Sequence, residues 1–193
     1  MRRNWQLLAL SLTLILAVFG LGACNRDRGV EAARENATPS ASPAEQDFMF
    51  KATQANVAEI DLARLAQQKS NDGDVKEYAN MIESDHKKAL DNLADLMQDK
   101  HVQLQKAAPT EAQQEISRMN TLTGPDFDRE FVNMMVSDHQ KALELFRTQQ
   151  ASAQDKDVKD YVDDVLPTLE NHLDKAQQLQ SRLFNAPPAP GKR

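Results

Sequence analysis

Four residues carry most of the chemistry open to this chain: Glu59, His86, His139 and His172. Two of the histidines sit in copies of one fragment. Asn80-Met81-Ile82-Glu83-Ser84-Asp85-His86-Lys87-Lys88-Ala89-Leu90 returns 53 residues later as Asn133-Met134-Met135-Val136-Ser137-Asp138-His139-Gln140-Lys141-Ala142-Leu143. Nine of fourteen positions agree between Glu77–Leu90 and Glu130–Leu143. A doubled fragment implies a doubled structural unit, and it puts two imidazoles in equivalent places. Imidazole with carboxylate is a ligand set for zinc, iron, copper or nickel. The same groups buried without an ion form a hydrogen-bond network that fixes packing. Both readings stand on these residues: first a polar-locked structural, interaction or stress-related bundle, second a transition-metal site with a metal-handling or redox-protective role.

Other chemistries find little support. Ser84 and Ser137 precede Asp-His, but adjacency in sequence is not a triad, because a nucleophile must hydrogen-bond its base in space. A ferritin-type di-iron centre needs about four carboxylates and two Glu-x-x-His pairs. Glu83-Ser84-Asp85-His86 supplies one such pair, while Val136 and Leu169 stand where the other glutamates would be. Met81, Met97, Met134 and Met135 have the spacing of core filler. Phosphate-loop, hydrolase and zinc-protease motifs are absent from the sequence, so no catalytic residue is assigned; whether the chain is an enzyme stays open, with the reading leaning against it. With 23 basic against 29 acidic residues, a net charge of −6, it is not a nucleic-acid binder.

These residues need helices to bring them together. Between Asp47 and Leu183 the only glycines are Gly73 and Gly124, while Ala, Leu, Gln, Glu and Lys abound, an all-α composition. Breaks at Asn71-Asp72-Gly73-Asp74 and Gln154-Asp155-Lys156-Asp157 predict two hairpins, 47–70 with 74–104 and 126–153 with 157–183. A connection with a short helix near 110–122 joins them. Alternating spacings of three and four trace a seam through Phe48, Ala52, Ala55, Glu59, Leu62 and Ala66, apolar but for one acid. The other three long helices each carry one histidine in the seam.

Height along the bundle is a separate check. Glu59 lies 13 residues before Asp72 and His86 lies 14 after it, and His139 lies 16 before Asp155 with His172 17 after it. In antiparallel hairpins both pairs then meet at mid-height. Glu83, Asp85 and Asp138 flank the seam as expected orienting partners. Asp85 is expected to reach His139, and Asp138 to reach His86. Alternatively the two aspartates form i, i+3 pairs with Lys88 and Lys141. Pro167 predicts a kink just before His172. His101 falls outside the seam.

The motifs Ala58-Glu59 with Leu62-Ala63, Asp85-His86, Asp138-His139 and Pro167-Thr168-Leu169-Glu170-Asn171-His172-Leu173 resemble the domain of unknown function 4142 family, a ferritin-like group of exported bacterial proteins. The resemblance spans about Phe48 to Leu183. It implies a ferritin-like four-helix bundle with a long crossover, and no established activity.

The N-terminal region reads as an export device. Arg2 and Arg3 precede an apolar stretch from Leu7 to Leu21, about 15 residues where a membrane span needs roughly 20. Leu21-Gly22-Ala23-Cys24 resembles a lipobox, which makes 1–23 a lipoprotein signal and Cys24 its lipidation site. Cys24 is the only cysteine, so disulfide and thiol chemistry are excluded. The expected order is signal 1–23, flexible tether 24–46, bundle 47–184 and loose tail 185–193. The membrane, reached through lipidated Cys24, is the expected partner, with a protein partner under the interaction reading. Asn25 after the cysteine favours the outer membrane, facing the periplasm, in a bacterium with two membranes.

Overall fold

The computed structural model describes residues 40–103 and 109–185. Cys24, the signal segment, most of the tether and residues 186–193 lie outside the described residues. The described residues form α1 (Pro43–Lys69), α2 (Gly73–Asp99), α3 (Thr110–Met119), α4 (Gly124–Ser152) and α5 (Lys156–Asn185). The protein is all-α, with four long helices and one short one. Among these helices none is long and apolar enough to cross a membrane.

Two helix ends differ from expectation by more than three residues, each for a local reason. α1 starts four residues early because Ser42 and Glu45 close a capping box: the Ser42 hydroxyl accepts the Glu45 N–H, and the Glu45 carboxylate accepts the Ser42 N–H at 2.8 Å. Pro43 fits the first turn, where its missing N–H costs nothing. The other Glu45 oxygen accepts the N–H groups of Gln154 and Asp155 at 3.0 and 2.9 Å, and the Ser40 N–H donates to the Lys100 carbonyl. Residues 40–46 therefore belong to the fold and not to the tether. α2 ends five residues early in a Schellman turn, where the Val102 N–H meets the Met97 carbonyl and the His101 N–H meets that of Gln98. His101 takes the left-handed position usual for glycine, at φ 56°.

Contacts at the two ends fix the winding. At one end the start of α1 and the end of α2 meet the α4–α5 turn, through Glu45 and through Lys100 bonded to Asp155 and Asp157 at 2.6 and 2.7 Å. At the other end Lys69 of α1 reaches Asn120, just before α4, and Arg182 near the end of α5 grips Asp72 before α2. α1 and α5 thus run one way, α2 and α4 the other. Around the bundle the order is α1, α2, α5, α4, so every neighbour is antiparallel and the crossover must travel the bundle's length. Up-down-up-down winding is excluded. α3, within that crossover, packs on α1 and α4.

The core divides into two apolar layers. One, near the α4 N-terminus, holds Leu62, Val75, Ile82, Phe127, Phe131 and Met135; the other, near the α4–α5 turn, holds Phe48, Leu93, Met97, Phe146, Val162 and Leu169. Between them, at mid-height, lie the polar residues. α5 runs unbroken through Pro167, whose ring is exposed on the same side as Asp163, the residue whose carbonyl loses its helical N–H partner.

Candidate metal centre

Each long helix contributes one side chain: Glu59 from α1, His86 from α2, His139 from α4 and His172 from α5. All four are buried, His139 and His172 completely. The three imidazoles stand in a near-equilateral triangle, with ring centroids 5.6, 5.4 and 5.2 Å apart. One nitrogen from each lies within 4.8 Å of the other two. Glu59 Oε2 adjoins this triangle, 3.1 Å from His86 Nε2 and 3.4 Å from His139 Nε2.

The outward-facing nitrogens decide the tautomers. His86 Nδ1 lies 3.0 Å from Asn56 Oδ1, and Asn56 is oriented because its Nδ2 donates to the Ala52 carbonyl at 2.7 Å. His139 Nδ1 lies 2.9 Å from the Met135 carbonyl of its own helix. His172 Nε2 lies 3.0 Å from Asp85 Oδ2. All three partners are acceptors, so each outer nitrogen carries a proton, the single one when the imidazole is neutral. The inner nitrogens, His86 Nε2, His139 Nε2 and His172 Nδ1, are left as bare lone pairs.

Those lone pairs face one another and a carboxylate. His139 Nε2 and His172 Nδ1 approach to 3.2 Å, and neither Glu59 Oε2 nor His86 Nε2 has a partner in good hydrogen-bond geometry despite their proximity. An assembly of lone pairs at this range is repulsive unless positive charge sits among them. Two sources fit: extra protons on the rings, or a cation. Three of the separations among these atoms, 3.1, 3.2 and 3.4 Å, are short enough for neighbouring ligands of one ion with bonds near 2.0–2.1 Å.

Burial pushes the His172 imidazolium down to about 4, against the opposing pull of Asp85. Burial works to raise the Glu59 carboxyl, but its attraction to the rings of His139 and His86 in their charged form outweighs it and holds the carboxyl at about 2. Tyr78, its phenol kept neutral by burial, donates to the His172 carbonyl at 3.2 Å and steadies α5 at that point.

The expected orienting partners are realised only in part. Asp85 does orient a histidine, but His172 of α5 and not His139. Asp138 forms the i, i+3 pair with Lys141 at 2.9 Å and stays at the surface. Glu83 turns away to Lys87, Gln67 and Arg64, which hold its carboxyl down at about 2, so even the one Glu-x-x-His pair does not build the centre. The reason is helix order. α2 and α4 are diagonal, and the flanks of α2 face α1 and α5. Asn56 takes the buried place expected for Ala55. Its position three residues before Glu59, on the same helix face, is the sequence signal that could have found it.

Comparison with curated protein sequences finds no match. Among solved structures, a DUF305 fragment from Deinococcus radiodurans superposes with TM-score 0.67 at 18% identity, over 75% of this chain and 99% of that one. The Ag-bound form of CopM superposes at 0.60 with 20% identity, over 74% of this chain and 97% of CopM. Its Cu(II)-bound form gives 0.59 and 19%, over 72% and 96%. At these identities the likeness shows the bundle fold alone. The profile of DUF4142, a domain of unknown function, matches residues 30–179, and by that match the chain belongs to the DUF4142 family.

Proposed function

We propose that this bundle holds a single transition-metal cation between His86, His139 and His172, with Glu59 as the adjoining carboxylate. One observation carries the reading: all three outer ring nitrogens are spent on acceptors, while a nitrogen from each ring lies within 4.8 Å of the other two and a buried carboxylate oxygen adjoins them. Such outer-nitrogen bonds are the usual supports of metal-bound histidines, fixing the tautomer and raising ligand basicity. Imidazole and carboxylate donors suit Cu(II), Zn(II), Ni(II) and Fe(II), with Cu(II) bound most tightly among them by intrinsic preference. Solved neighbours of this fold include CopM in Ag- and Cu(II)-bound forms, which is compatible with a metal-handling role.

The test is metal uptake by chelator-stripped protein, read by elemental analysis and melting temperature with Cu(II), Zn(II), Ni(II) and Co(II). One ion per chain is expected, with a raised melting temperature, and its loss is expected in His86→Ala, His139→Ala and His172→Ala. If no ion is retained and none shifts the melting curve, the metal reading fails.

A second reading rests on the 3.2 Å approach of His139 to His172. An extra proton on one ring would make that contact a charged hydrogen bond, balanced by Glu59, and the centre would lock packing in a structural or interaction protein. Tight metal uptake at neutral pH rejects it. For either role we infer attachment to the cell envelope through lipid on Cys24, a reading supported by the lipobox-like Leu21-Gly22-Ala23-Cys24. Cys24→Ser is expected to move the protein from the membrane to the soluble fraction, and an unchanged distribution would remove the anchor.

A further inference from the structure

The centre has a neighbour that packing alone does not explain. A cavity of about 20 Å³ lies beside it, bordered by Glu59, His86 and His172. That is room for one water molecule, and a buried water needs two to four polar partners. Polar residues on its border are Asn56, Glu59, Asp85, His86, Thr168 and His172. The rest of the wall is apolar: four alanines, Ala52, Ala55, Ala89 and Ala142, leave the room, and Phe146, Val165 and Leu169 bound it.

The alanines follow from the repeat. Ala89 stands three residues after His86, and Ala142 three after His139, one helical turn from each ring on the same face. Each copy thus couples an imidazole to a small side chain, and together they leave space beside the ligands. The outer wall contains Asp85 and Thr168, both partly exposed, so the space lies close to solvent.

We infer that the bound ion keeps one exchangeable coordination position facing this cavity, filled by water and open to a small exogenous ligand of one or two heavy atoms. The inference rests on the metal reading above. Metal sites with a purely structural role are closed by protein ligands, whereas sites that act on small molecules keep a position for water or substrate. Three imidazoles with an off-centre carboxylate and an adjoining water-sized space belong to the second kind.

The test uses the whole protein loaded with one equivalent of Cu(II) and followed by electron paramagnetic resonance, with fluoride as a probe of water's size. Fluoride is expected to split the copper signal through its nuclear spin, and transfer into deuterium oxide is expected to reveal an exchangeable deuteron at the ion. Ala89→Val, which narrows the cavity, is expected to retain Cu(II) at the same stoichiometry while fluoride affinity falls at least about tenfold, as overpacking displaces the small ligand. Should Ala89→Val fail to fold, the fluoride and deuterium experiments on the unaltered protein decide alone. One Cu(II) per chain with neither fluoride splitting nor an exchangeable deuteron overturns the open position and leaves the metal reading intact. Fluoride binding undiminished in folded Ala89→Val also overturns it, because the ligand would then sit elsewhere. Absence of any bound Cu(II) overturns both.

Discussion

Glu77–Leu90 and Glu130–Leu143 share most of their residues, yet the two copies use the Asp-His pair differently. In the first, His86 is held by the side chain of Asn56 on another helix, and Asp85 reaches across to His172. In the second, His139 is held by the carbonyl of its own helix, and Asp138 pairs with Lys141 at the surface. Local sequence puts both imidazoles at the seam because helical periodicity is a property of the fragment. What a flanking aspartate touches depends on which helix lies beside it, and that is set by the whole bundle.

The largest effect that tests this contrast is on stability. His86→Ala removes the partner of buried Asn56 and the nearest neighbour of Glu59, and an unsatisfied buried polar group costs about 1–3 kcal/mol beyond the lost packing. His139→Ala also leaves a hole, with a loss of about 2–4 kcal/mol, but the Met135 carbonyl it frees keeps its helical bond. Denaturant unfolding of metal-free protein is expected to rank His86→Ala as the more damaging. The reverse order would break the contrast.

The next effect concerns the aspartates. Asp85→Asn is expected to weaken metal affinity about 10–100-fold, the usual range when an outer partner of a metal-bound histidine is lost. Asp138→Asn is expected to leave affinity unchanged. Competition with a chelator of known strength measures both, and equal losses would show that the copies are functionally alike after all.

A smaller effect tests a second internal likeness that the structure treats evenly. Asp72 accepts the N–H groups of Asp74 and Val75 and pairs with Arg182; Asp155 accepts those of Asp157 and Val158 and pairs with Lys100. Arg182 holds the Asp72 carboxyl below its ordinary range, and Lys100 does the same for Asp155. A carboxyl depressed on folding stabilises at pH above its unfolded value, near 3.9, and that contribution disappears as pH falls through the folded value. Asp72→Asn and Asp155→Asn keep the cap but lose the ion pair, and should each cost about 0.5 kcal/mol at neutral pH and flatten the loss of stability below about pH 4. Thermal melts across pH 2.5–7 check the pair. In the opposite direction, His101→Gly is expected to stabilise by about 1 kcal/mol by relieving the left-handed backbone.

Much of this arrangement was legible in the chain. Helix period and distance to the turns put Glu59, His86, His139 and His172 at one height, because rise per residue is nearly constant. The partners were not legible to the same degree. The Asp85–His172 bond depends on α5, and not α4, being the neighbour of α2, and seam spacing carries no information about that order. Asn56 was hidden by its neighbour Ala55, since two adjacent residues near a seam satisfy the same spacing until packing chooses one. The capping box at Ser42 was written plainly as Ser-x-x-Glu, but sits in a Pro- and Ser-containing stretch whose composition favoured a tether.

The long crossover has one more consequence. Because the chain makes α1–α2 and α4–α5 as separate hairpins, each holds half of the donor set: Glu59 and His86 on one, His139 and His172 on the other. Neither half alone can satisfy an ion, so an ion at this centre would act as a non-covalent rivet between them. Grip on the metal and docking of the hairpins would then be one event, and withdrawing the ion would loosen the protein along the interface that joins its two halves.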